Sequence, residues 1–575
     1  MHSGLRNVRR ALPFLAMIGL LIGTEAALRV KRGPPPPEPV WADFDFYYSD
    51  INKRFFKLTF DRFAGGPIYA SQRPRAAHQQ FLAAKPKGLV RIFVVGGSVA
   101  NAYAGDAQIR LRGYLSRIFP GKDFEVIGCG MGGYDSYRDS LVQKEILEYH
   151  PDAVVLMSGN NEFQGQDNVS PTLYHLTTRL RKLWVFRLAL DRLRTPRQPR
   201  AATLQDRLAR FEANLRLMAG RAKQMNVPMI FCTLPANIRD MPPMSSQPPL
   251  GDPDYLESRA ALDAGDDLAA SHKFDRYVHA HPDEPFGHYW LAKLLDRRGR
   301  YAQARAHYLR ALDLDDPGAR CSTARNEIIR RVAKETGMIL ADLDAAFDGI
   351  AEQRLPDGRI FVDGCHWRAE YYALTSWVIL RSIYDSSRSE GAFLSPAARW
   401  EWGWFEAEKS EVLKPTLSRK SLDSYGDEAI YQAMTYAAWA NGRLSEGALA
   451  LFEGAARRDS GRLDFMAASF AHLRPAFEKY VWLKGSSDLV RDHWSDISVN
   501  VGEAYRRRRD YPKALAYFDG VLRREPRLDL ALLLKAKTLA SLGRRREAQM
   551  SLARLSPGSR DLPEFAFWRR NLGVE

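Results

Sequence analysis

The segment VRIFVVGGS, residues 90–98, places a run of strand-forming residues directly before two glycines and a serine. Such a run predicts a buried strand of a parallel sheet. The glycines permit a tight turn, and residues 107–118 after the turn are compatible with a helix. A strand, a glycine turn and a helix in this order expose the Ser98 hydroxyl at the carboxyl edge of the sheet.

The same order of strand and glycine-rich loop occurs twice more. FEVI at 124–127 leads into GCGMGG, and AVVLM at 153–157 leads into SGNN. Because the carboxyl ends of parallel strands meet at one edge of a sheet, we expect a glycine amide and an Asn side chain to lie near Ser98.

A fourth segment, DGCH at 363–366, supplies an acid–base pair. A serine nucleophile needs a base that is itself oriented, and the oxyanion formed on attack needs N–H donors. We expect His366 to take the Ser98 proton and Asp363 to orient the imidazole. The expected donors are the Ser98 and Gly133 amides and the Asn161 side chain.

In this order, GGSVA, GMGGYDS, SGNNEF and DGCHW resemble the four sequence blocks of the SGNH (GDSL-type) serine hydrolases. The resemblance covers roughly residues 87–235 and 320–385. It implies an α/β fold, a three-layer α/β/α flavodoxin-like domain with a parallel sheet. Asn161 is preferred over Asn160 because the acidic Glu162 follows it, as in the third block of the family.

Gly133 is preferred over Gly132 because YDS follows it, as in the second block of the family. The sequence departs from the family at Gly97, where the first block carries Asp, and at Gly128, where many members carry Asn. Neither departure removes a group that performs the chemistry, although the Asp replaced by Gly97 would have tuned the nucleophile.

Composition bounds the remaining possibilities. The 575 residues leave room for three or four domains, and 45% hydrophobic with 26% charged residues is ordinary for a globular protein. The net charge of +16 comes partly from Arg-rich stretches that we interpret as solvated helix faces. The chain has no zinc-ligand spacing, P-loop or dinucleotide fingerprint. We therefore expect no cofactor, no metal and no nucleic-acid partner.

The N-terminus has the pattern of a membrane anchor. Arg6, Arg9 and Arg10 precede an apolar run over residues 11–28, which is broken only by Thr24 and Glu25 and is just long enough to cross a bilayer. We expect an uncleaved transmembrane signal anchor, with a cleaved signal peptide as the alternative. The resemblance then implies a single-pass protein of the bacterial inner membrane, with the catalytic part on the periplasmic side.

The four cysteines cannot define a disulfide framework in a chain of this length. Cys129 and Cys232 lie in or beside apolar strand segments and are expected to be buried thiols. Cys321 and Cys365 fall in loops near the acid–base segment. A bridge between them would pin the His366 loop; two unrelated reduced thiols are the alternative.

A second pattern interrupts the first. The spacing LA at 291–292, Leu295, Gly299, Tyr301 and Ala304 resembles a tetratricopeptide (TPR) repeat, which is a pair of packed helices. The pattern returns three times near the C-terminus, loosely at 442–454 and more closely at 501–526 and 536–552. Such repeats form surfaces that bind proteins, so a protein partner is expected; mutual bracing is the alternative.

These patterns divide the chain into six regions. They are a signal anchor (1–33), a Pro-rich linker and lead-in (34–86), a first hydrolase part (87–235), an inserted TPR-like unit (236–320), a second hydrolase part (321–390) and C-terminal TPR-like repeats (391–575).

The expected function is hydrolysis of an ester, such as an O-acetyl group, on an envelope carbohydrate or lipid, through an acyl-Ser98 intermediate. An O-acyltransferase that uses the same residues is the second hypothesis. The third is a non-catalytic TPR scaffold, which predicts damaged catalytic segments.

Overall fold

The computed structural model describes most of the chain between residues 54 and 387 and the C-terminal helices. The described residues are 17, 19–33, 54–61, 66–73, 76, 78–104, 106–162, 180, 183–186, 188, 203–315, 318–368, 371–387, 394, 449, 453 and 494–574. The chain divides into two compact units, Met1–Arg54 with Gly165–Asp206 and Phe55–Gln164 with Arg207–Glu575.

The first unit contains a helix over residues 19–32. Glu25 pairs with Arg29 one turn later at 2.7 Å and also accepts a hydrogen bond from the Val185 amide at 3.0 Å. Trp184 Nε1 donates to the Gly33 carbonyl at 2.9 Å. Trp184 and Val185 are therefore held against this helix.

The predicted membrane anchor is wrong. Among the described residues, no helix has both the length and the apolar character needed to cross a bilayer. The described helix over 19–32 would extend only about 21 Å, against a hydrocarbon core of about 30 Å. It also carries the Glu25–Arg29 pair. Residues 11–16 and 18 of the predicted span lie outside the described residues. The finding also corrects the predicted single-pass placement in the bacterial inner membrane.

A five-stranded, fully parallel sheet forms the centre of the second unit. Its strands are β4 (Leu89–Gly96), β5 (Asp123–Gly130), β6 (Ala153–Met157), β7 (Met229–Cys232) and β8 (Ile339–Ala341). They lie side by side in the order β5-β4-β6-β7-β8. Residues 92–95 of β4, an inner strand, are fully buried, as expected for a strand covered on both faces. The expected α/β fold with a parallel sheet is confirmed.

The helices around this sheet form two packed groups. They are α1 (Ser98–Tyr103), α2 (Asp106–Ile118), α3 (Ser136–Ile146), α4 (Leu204–Gln224), α9 (Thr323–Thr336), α10 (Leu343–Ile350) and α11 (Tyr372–Ser387). In the first group, the Tyr103 hydroxyl of α1 bonds to Ser376 of α11 at 2.7 Å. In the second, Gln143 of α3 donates to the Met218 carbonyl of α4 at 3.0 Å.

A small antiparallel sheet precedes the parallel one. Its order is β1-β2-β3, with β1 (Phe56–Asp61), β2 (Gly66–Ser71) and β3 (Gln80–Leu82). Phe56 and Phe81 stack edge to face at 5.0 Å, and both pack against Phe93 of β4. Aromatic contacts of this kind attach the small sheet to the larger one.

Four helices are inserted between β7 and α9: α5 (Pro253–Asp263), α6 (Asp267–Ala280), α7 (Pro285–Arg297) and α8 (Tyr301–Leu314). Asp252 and Glu284 accept hydrogen bonds from the first free amides of α5 and α7, and Pro stands at the start of each helix. Capping oxygens and an initial Pro are typical of helix starts, so the local sequence defines these boundaries.

Six further helices follow in the described C-terminal residues, 494–574: α12 (Trp494–Arg507), α13 (Tyr511–Arg524), α14 (Asp529–Ser541), α15 (Arg545–Ala553), α16 (Pro557–Arg560) and α17 (Pro563–Leu572). Their buried side chains share one hydrophobic core with those of the inserted helices. Asp263, at the end of α5, bonds to Arg506 of α12 at 2.8 Å and lies 3.4 Å from Lys537 of α14. Helical repeats distant in sequence therefore form one body. The loose repeat expected at 442–454 lies outside the described residues, apart from 449 and 453.

Candidate active site

The turn after β4 brings Ser98 to the edge of the sheet. Gly96 has a φ of +155°, and a Cβ on it would lie 2.2 Å from the Met157 carbonyl oxygen. Only glycine fits there, because any side chain would collide with the backbone of β6. Helix α1 begins at Ser98, and the Ser98 side chain remains partly exposed.

His366 approaches Ser98 from a loop after α10. Its Nε2 atom lies 2.6 Å from Ser98 Oγ, and its Nδ1 atom lies 2.7 Å from Asp363 Oδ2. The loop is closed by a hydrogen bond from the Val362 amide to the His366 carbonyl at 2.9 Å. The structure thus aligns Ser98, His366 and Asp363 in hydrogen-bond contact.

The second carboxylate oxygen of Asp363 holds the loop itself. Oδ1 accepts hydrogen bonds from the amides of Cys365, at 2.9 Å, and His366, at 2.7 Å. Burial opposes ionisation of Asp363, but His366 and these two amides lower the pKa of the carboxyl below its ordinary value. Asp363 therefore orients His366 as a carboxylate.

The charge of Asp363 acts on His366 in turn. Burial lowers the pKa of the imidazole, but the neighbouring Asp363 carboxylate outweighs burial and raises that pKa well above 6.5. A positive imidazolium between Ser98 and Asp363 is therefore stabilised, as required of a base that must hold a proton during the reaction.

Asn161 lies beside the serine turn. A Cβ on Gly97 would be 2.6 Å from Asn161 Nδ2, so the amide packs directly on the residue before Ser98. The same nitrogen donates one hydrogen to the Tyr134 carbonyl at 3.0 Å, which fixes the direction of the other. Asn160 has a different role, since its Oδ1 atom accepts a hydrogen bond from the Cys321 amide at 2.8 Å.

The loop that carries Gly133 is tied to the serine strand. The Met131 amide donates to the Gly96 carbonyl at 3.0 Å, and the Tyr134 amide donates to the Met131 carbonyl at 3.2 Å. Gly133 has a φ of +76°, which favours glycine. The loop containing the expected glycine donor is therefore anchored next to Ser98.

A network of buried hydrogen bonds lies behind these loops. Glu162 accepts hydrogen bonds from the Ser136 amide at 3.0 Å and the Ser136 hydroxyl at 2.7 Å. Asn214 Nδ2 donates to the same hydroxyl at 3.0 Å. Burial and the nearby Asp135 carboxylate raise the pKa of Glu162 to about 7, against the opposing charge of Arg325. The network joins the Gly133 and Asn161 loops; only the position of Glu162 directly after Asn161 signalled it.

All four cysteines are buried free thiols, so no Cys321–Cys365 bridge is formed. Cys321 Sγ instead donates to Asn326 Oδ1 at 3.3 Å, and Cys365 Sγ lies 3.6 Å from His366 Nδ1. Burial raises the pKa of both thiols. The His366 loop is held by hydrogen bonds rather than by a disulfide.

One group of potential metal ligands occurs among the described residues, and it coincides with this site. Ligand atoms of Asp363, Cys365 and His366 lie within 4.8 Å of one another. Both imidazole nitrogens are already directed at Asp363 and Ser98, which matches an acid–base arrangement. Tyr103, Trp367 and Tyr371 are buried, and Trp367 and Tyr371 both pack against Phe347.

The tetratricopeptide repeat family matches residues 285–317, which span α7 and α8. This match confirms the helical-repeat interpretation of the insertion. No curated protein sequence matches the chain.

Several solved structures resemble about half of the chain. An acetyl xylan esterase, AlAXEase, is 14% identical and aligns over 51% of this chain and 99% of its own, with a TM-score of 0.27. The alpha/beta hydrolase LAE5 from the metagenome of Lake Arreo, Spain, is 16% identical over 51% and 94%, with a TM-score of 0.27. A lipase/acylhydrolase from Enterococcus faecalis is 15% identical over 51% and 95%, with a TM-score of 0.25. Likenesses this weak carry no conclusion about the activity of this chain.

Proposed function

We propose that the protein is a serine esterase of the SGNH type that cleaves an acyl ester through an acyl-Ser98 intermediate. The observation that supports the proposal most strongly is the hydrogen-bonded line from Ser98 Oγ through His366 to Asp363, with distances of 2.6 and 2.7 Å. A serine beside an oriented base is what nucleophilic catalysis of acyl transfer requires.

In the first half-reaction, Ser98 Oγ bonds to the ester carbonyl carbon and its proton passes to His366 Nε2. The carbonyl oxygen becomes an oxyanion, which accepts hydrogen bonds from the Ser98 and Gly133 amides and from the free N–H of Asn161. The carbon–oxygen bond to the alcohol then breaks, and His366 returns the proton to the leaving oxygen.

In the second half-reaction, a water molecule attacks the acyl-Ser98 carbonyl and gives its proton to His366. The tetrahedral intermediate collapses to the free acid and Ser98 Oγ recovers the proton. Asp363 remains ionised throughout and stabilises the imidazolium in both steps, in agreement with its lowered pKa.

The proposed substrate is an ester-bearing small molecule, glycan or lipid with a short acyl group such as acetyl. An O-acyltransferase differs only in that a sugar hydroxyl replaces water in the second half-reaction. The experiment is to supply p-nitrophenyl acetate with and without an added glycan, and to measure free acetate and acetylated glycan. Release of acetate that is lost in Ser98→Ala supports the esterase, whereas acetate transferred mainly to glycan supports the transferase.

A purely structural role for the hydrolase domain predicts a damaged site. The described geometry favours catalysis instead, because the Ser98, His366 and Asp363 contacts are all present. Binding of a protein partner by the inserted and C-terminal repeats is a separate hypothesis.

A further inference from the structure

The segment after β7, residues 233–246, packs directly against the loop that carries His366. Asn237 lies on this segment and is completely buried. Its backbone amide donates to the Gly364 carbonyl at 2.9 Å, and its side-chain Nδ2 donates to the Asp363 carbonyl at 3.1 Å. A single residue therefore holds two consecutive carbonyl groups of the acid–base loop.

The fit between this segment and the loop leaves no spare volume. A Cβ on Gly364 would lie 2.5 Å from Met244 Sδ and 3.0 Å from Arg320 Cδ. The backbone of the loop thus rests directly on both side chains. A displacement of the segment would be transmitted to the loop, because close-packed groups cannot move independently.

A buried ion pair holds the segment from one side. Arg320 Nη1 donates to the carbonyls of Asn237 and Met241, each at 2.9 Å, and Arg320 Nη2 lies 3.1 Å from Asp315. Asp315 also accepts the backbone amides of residues 244–246. Burial opposes ionisation of Asp315, but Arg320 and these amides lower the pKa of the carboxyl. Asp315 follows the last inserted helix, α8.

The inserted helical unit holds the same segment from the other side. Arg239, two residues after Asn237, forms two hydrogen bonds with Asp296 of α7, at 2.7 and 2.9 Å. Tyr289 and Lys293 of α7 both donate to the Arg239 carbonyl, at 3.3 and 3.2 Å. Paired bonds between Arg and a carboxylate fix orientation as well as distance.

We propose that Asn237 is a positioning residue for His366, and that the inserted helical unit fixes Asn237 in place through Arg239 and Arg320. The inference rests on the proposed function and adds a role for the insertion within it. The insertion is then part of the framework of the acid–base loop as well as a repeat surface.

The physical reason is the narrow tolerance of the site. A shift of about 1 Å in a catalytic group can lower a rate by as much as 100-fold. Without the Asn237 side chain, the loop loses the hydrogen bond to the Asp363 carbonyl, while the backbone amide of residue 237 still holds the Gly364 carbonyl. Asp363 would then orient His366 less well, while the serine turn and the oxyanion donors would stay in place.

The test uses the full chain with Asn237→Ala, p-nitrophenyl acetate as substrate, and the pH dependence of kcat/KM. We expect kcat to fall roughly 10-fold with KM unchanged, because the loop is misplaced and binding is not. The acid limb of the profile should also move to lower pH, because a displaced Asp363 raises the pKa of His366 less. Among the described residues, the other ionisable group facing His366 is the Cys365 thiol, and Arg320 lies beyond it.

Asn326→Ala is the matched control. Asn326 is also a buried asparagine with two backbone hydrogen bonds, to the Leu234 amide at 2.9 Å and the Leu234 carbonyl at 3.0 Å. The Asn326→Ala substitution should lower the melting temperature about as much as Asn237→Ala does. A merely structural role for Asn237 predicts the same pH profile in both variants.

Asp296→Asn is a milder second variant that weakens the Arg239 anchor without creating a cavity. We expect a two- to five-fold loss of kcat and a smaller shift of the acid limb in the same direction. The proposal is overturned if each variant that folds keeps both the kcat and the acid limb of the wild type. Absence of Ser98-dependent activity in the wild type would instead refute the proposed function.

Discussion

Ser98 Oγ and His366 Nε2 lie 2.6 Å apart although 268 residues separate them in the chain. Each atom is positioned by its own local structure. The Gly96–Gly97 turn presents the serine, and the hydrogen bonds of Asp363 fold the histidine loop. The inserted helices lie between the two in sequence, yet they pack beside the histidine loop rather than separating it from the serine.

Asp363→Asn should lower kcat by about 10⁴-fold, because the amide stabilises the wrong imidazole tautomer and removes the charge that stabilises the imidazolium. The remaining activity should have its acid limb at lower pH. The acid limb moves to lower pH because His366 acts as a base only above its pKa, and Asp363 raises that pKa in the wild type. A kcat/KM profile measured between pH 5 and 10 checks both effects. An acid limb that stays at the same pH would show that Asp363 does not act on the base.

Asn161→Ala should lower kcat by about 10²- to 10³-fold with little change in KM, since the lost donor serves mainly the oxyanion. The adjacent Asn160→Ala is the control. Asn160 is equally buried but bonds to the Cys321 amide, so its loss should reduce stability more than kcat. Steady-state kinetics of both variants distinguish the two asparagines. A larger loss of kcat in the Asn160 variant would reverse the assignment.

Glu162→Gln should change how stability depends on pH. The pKa of Glu162 is about 7 in the folded chain against an ordinary value of 4.5, so the folded state keeps a proton that the unfolded state has released. The free energy of unfolding therefore falls as pH rises from about 4.5 to 7. The Gln variant cannot ionise and should show a smaller fall in melting temperature over that range.

Glu212→Gln is the control for this effect. Hydrogen bonding to Arg216 lowers the pKa of Glu212 below its ordinary value of 4.5, so the stability that this group contributes is already fully present above pH 4.5. The Glu212→Gln variant should therefore show the same fall in melting temperature above pH 5 as the wild type. A fall of equal size in the wild type and in Glu162→Gln would mean that Glu162 is not the group responsible.

Asp263→Ala should destabilise the packing between the inserted and C-terminal helices by about 1.5–3 kcal/mol, because buried Arg506 loses this partner while it keeps its pair with Glu503. Limited proteolysis should then release the C-terminal helices. Asp267→Ala is the control. Asp267 pairs with Arg509 at 2.6 Å across the same interface, but both side chains are partly exposed, so the cost should be at most about 1 kcal/mol. Equal proteolysis of the two variants would argue against the buried pair as the main link.

Local patterns were sufficient to predict the parallel sheet, the helical repeats and the segments that carry Ser98, Asn161 and His366. Each of these features has a short-range signature, such as an apolar run before a glycine turn. The membrane anchor was predicted wrongly because the apolar run was given more weight than Glu25, which forms an ion pair with Arg29 inside the described helix.

Contacts between distant segments had no such signature. Nothing in the residues around Asn237 indicates that they lie beneath the Asp363 loop, because that contact joins positions 126 residues apart. The Arg506–Asp263 pair joins positions 243 residues apart. Arg506 belongs to an Arg-rich stretch, residues 506–509, and such stretches were interpreted from the sequence as solvated helix faces. Such contacts depend on how complete elements pack and become visible only in three dimensions.

The most direct test of the account is labelling of the full chain with a fluorophosphonate probe, which bonds to an activated serine and releases fluoride. The modified peptide is located by mass spectrometry in the wild type, Ser98→Ala and His366→Ala. We predict labelling at Ser98 in the wild type, none in Ser98→Ala, and labelling at least 100-fold slower in His366→Ala, because that variant has lost its base. A folded wild-type chain that is not labelled at Ser98, or labelling that does not depend on His366, would contradict the account.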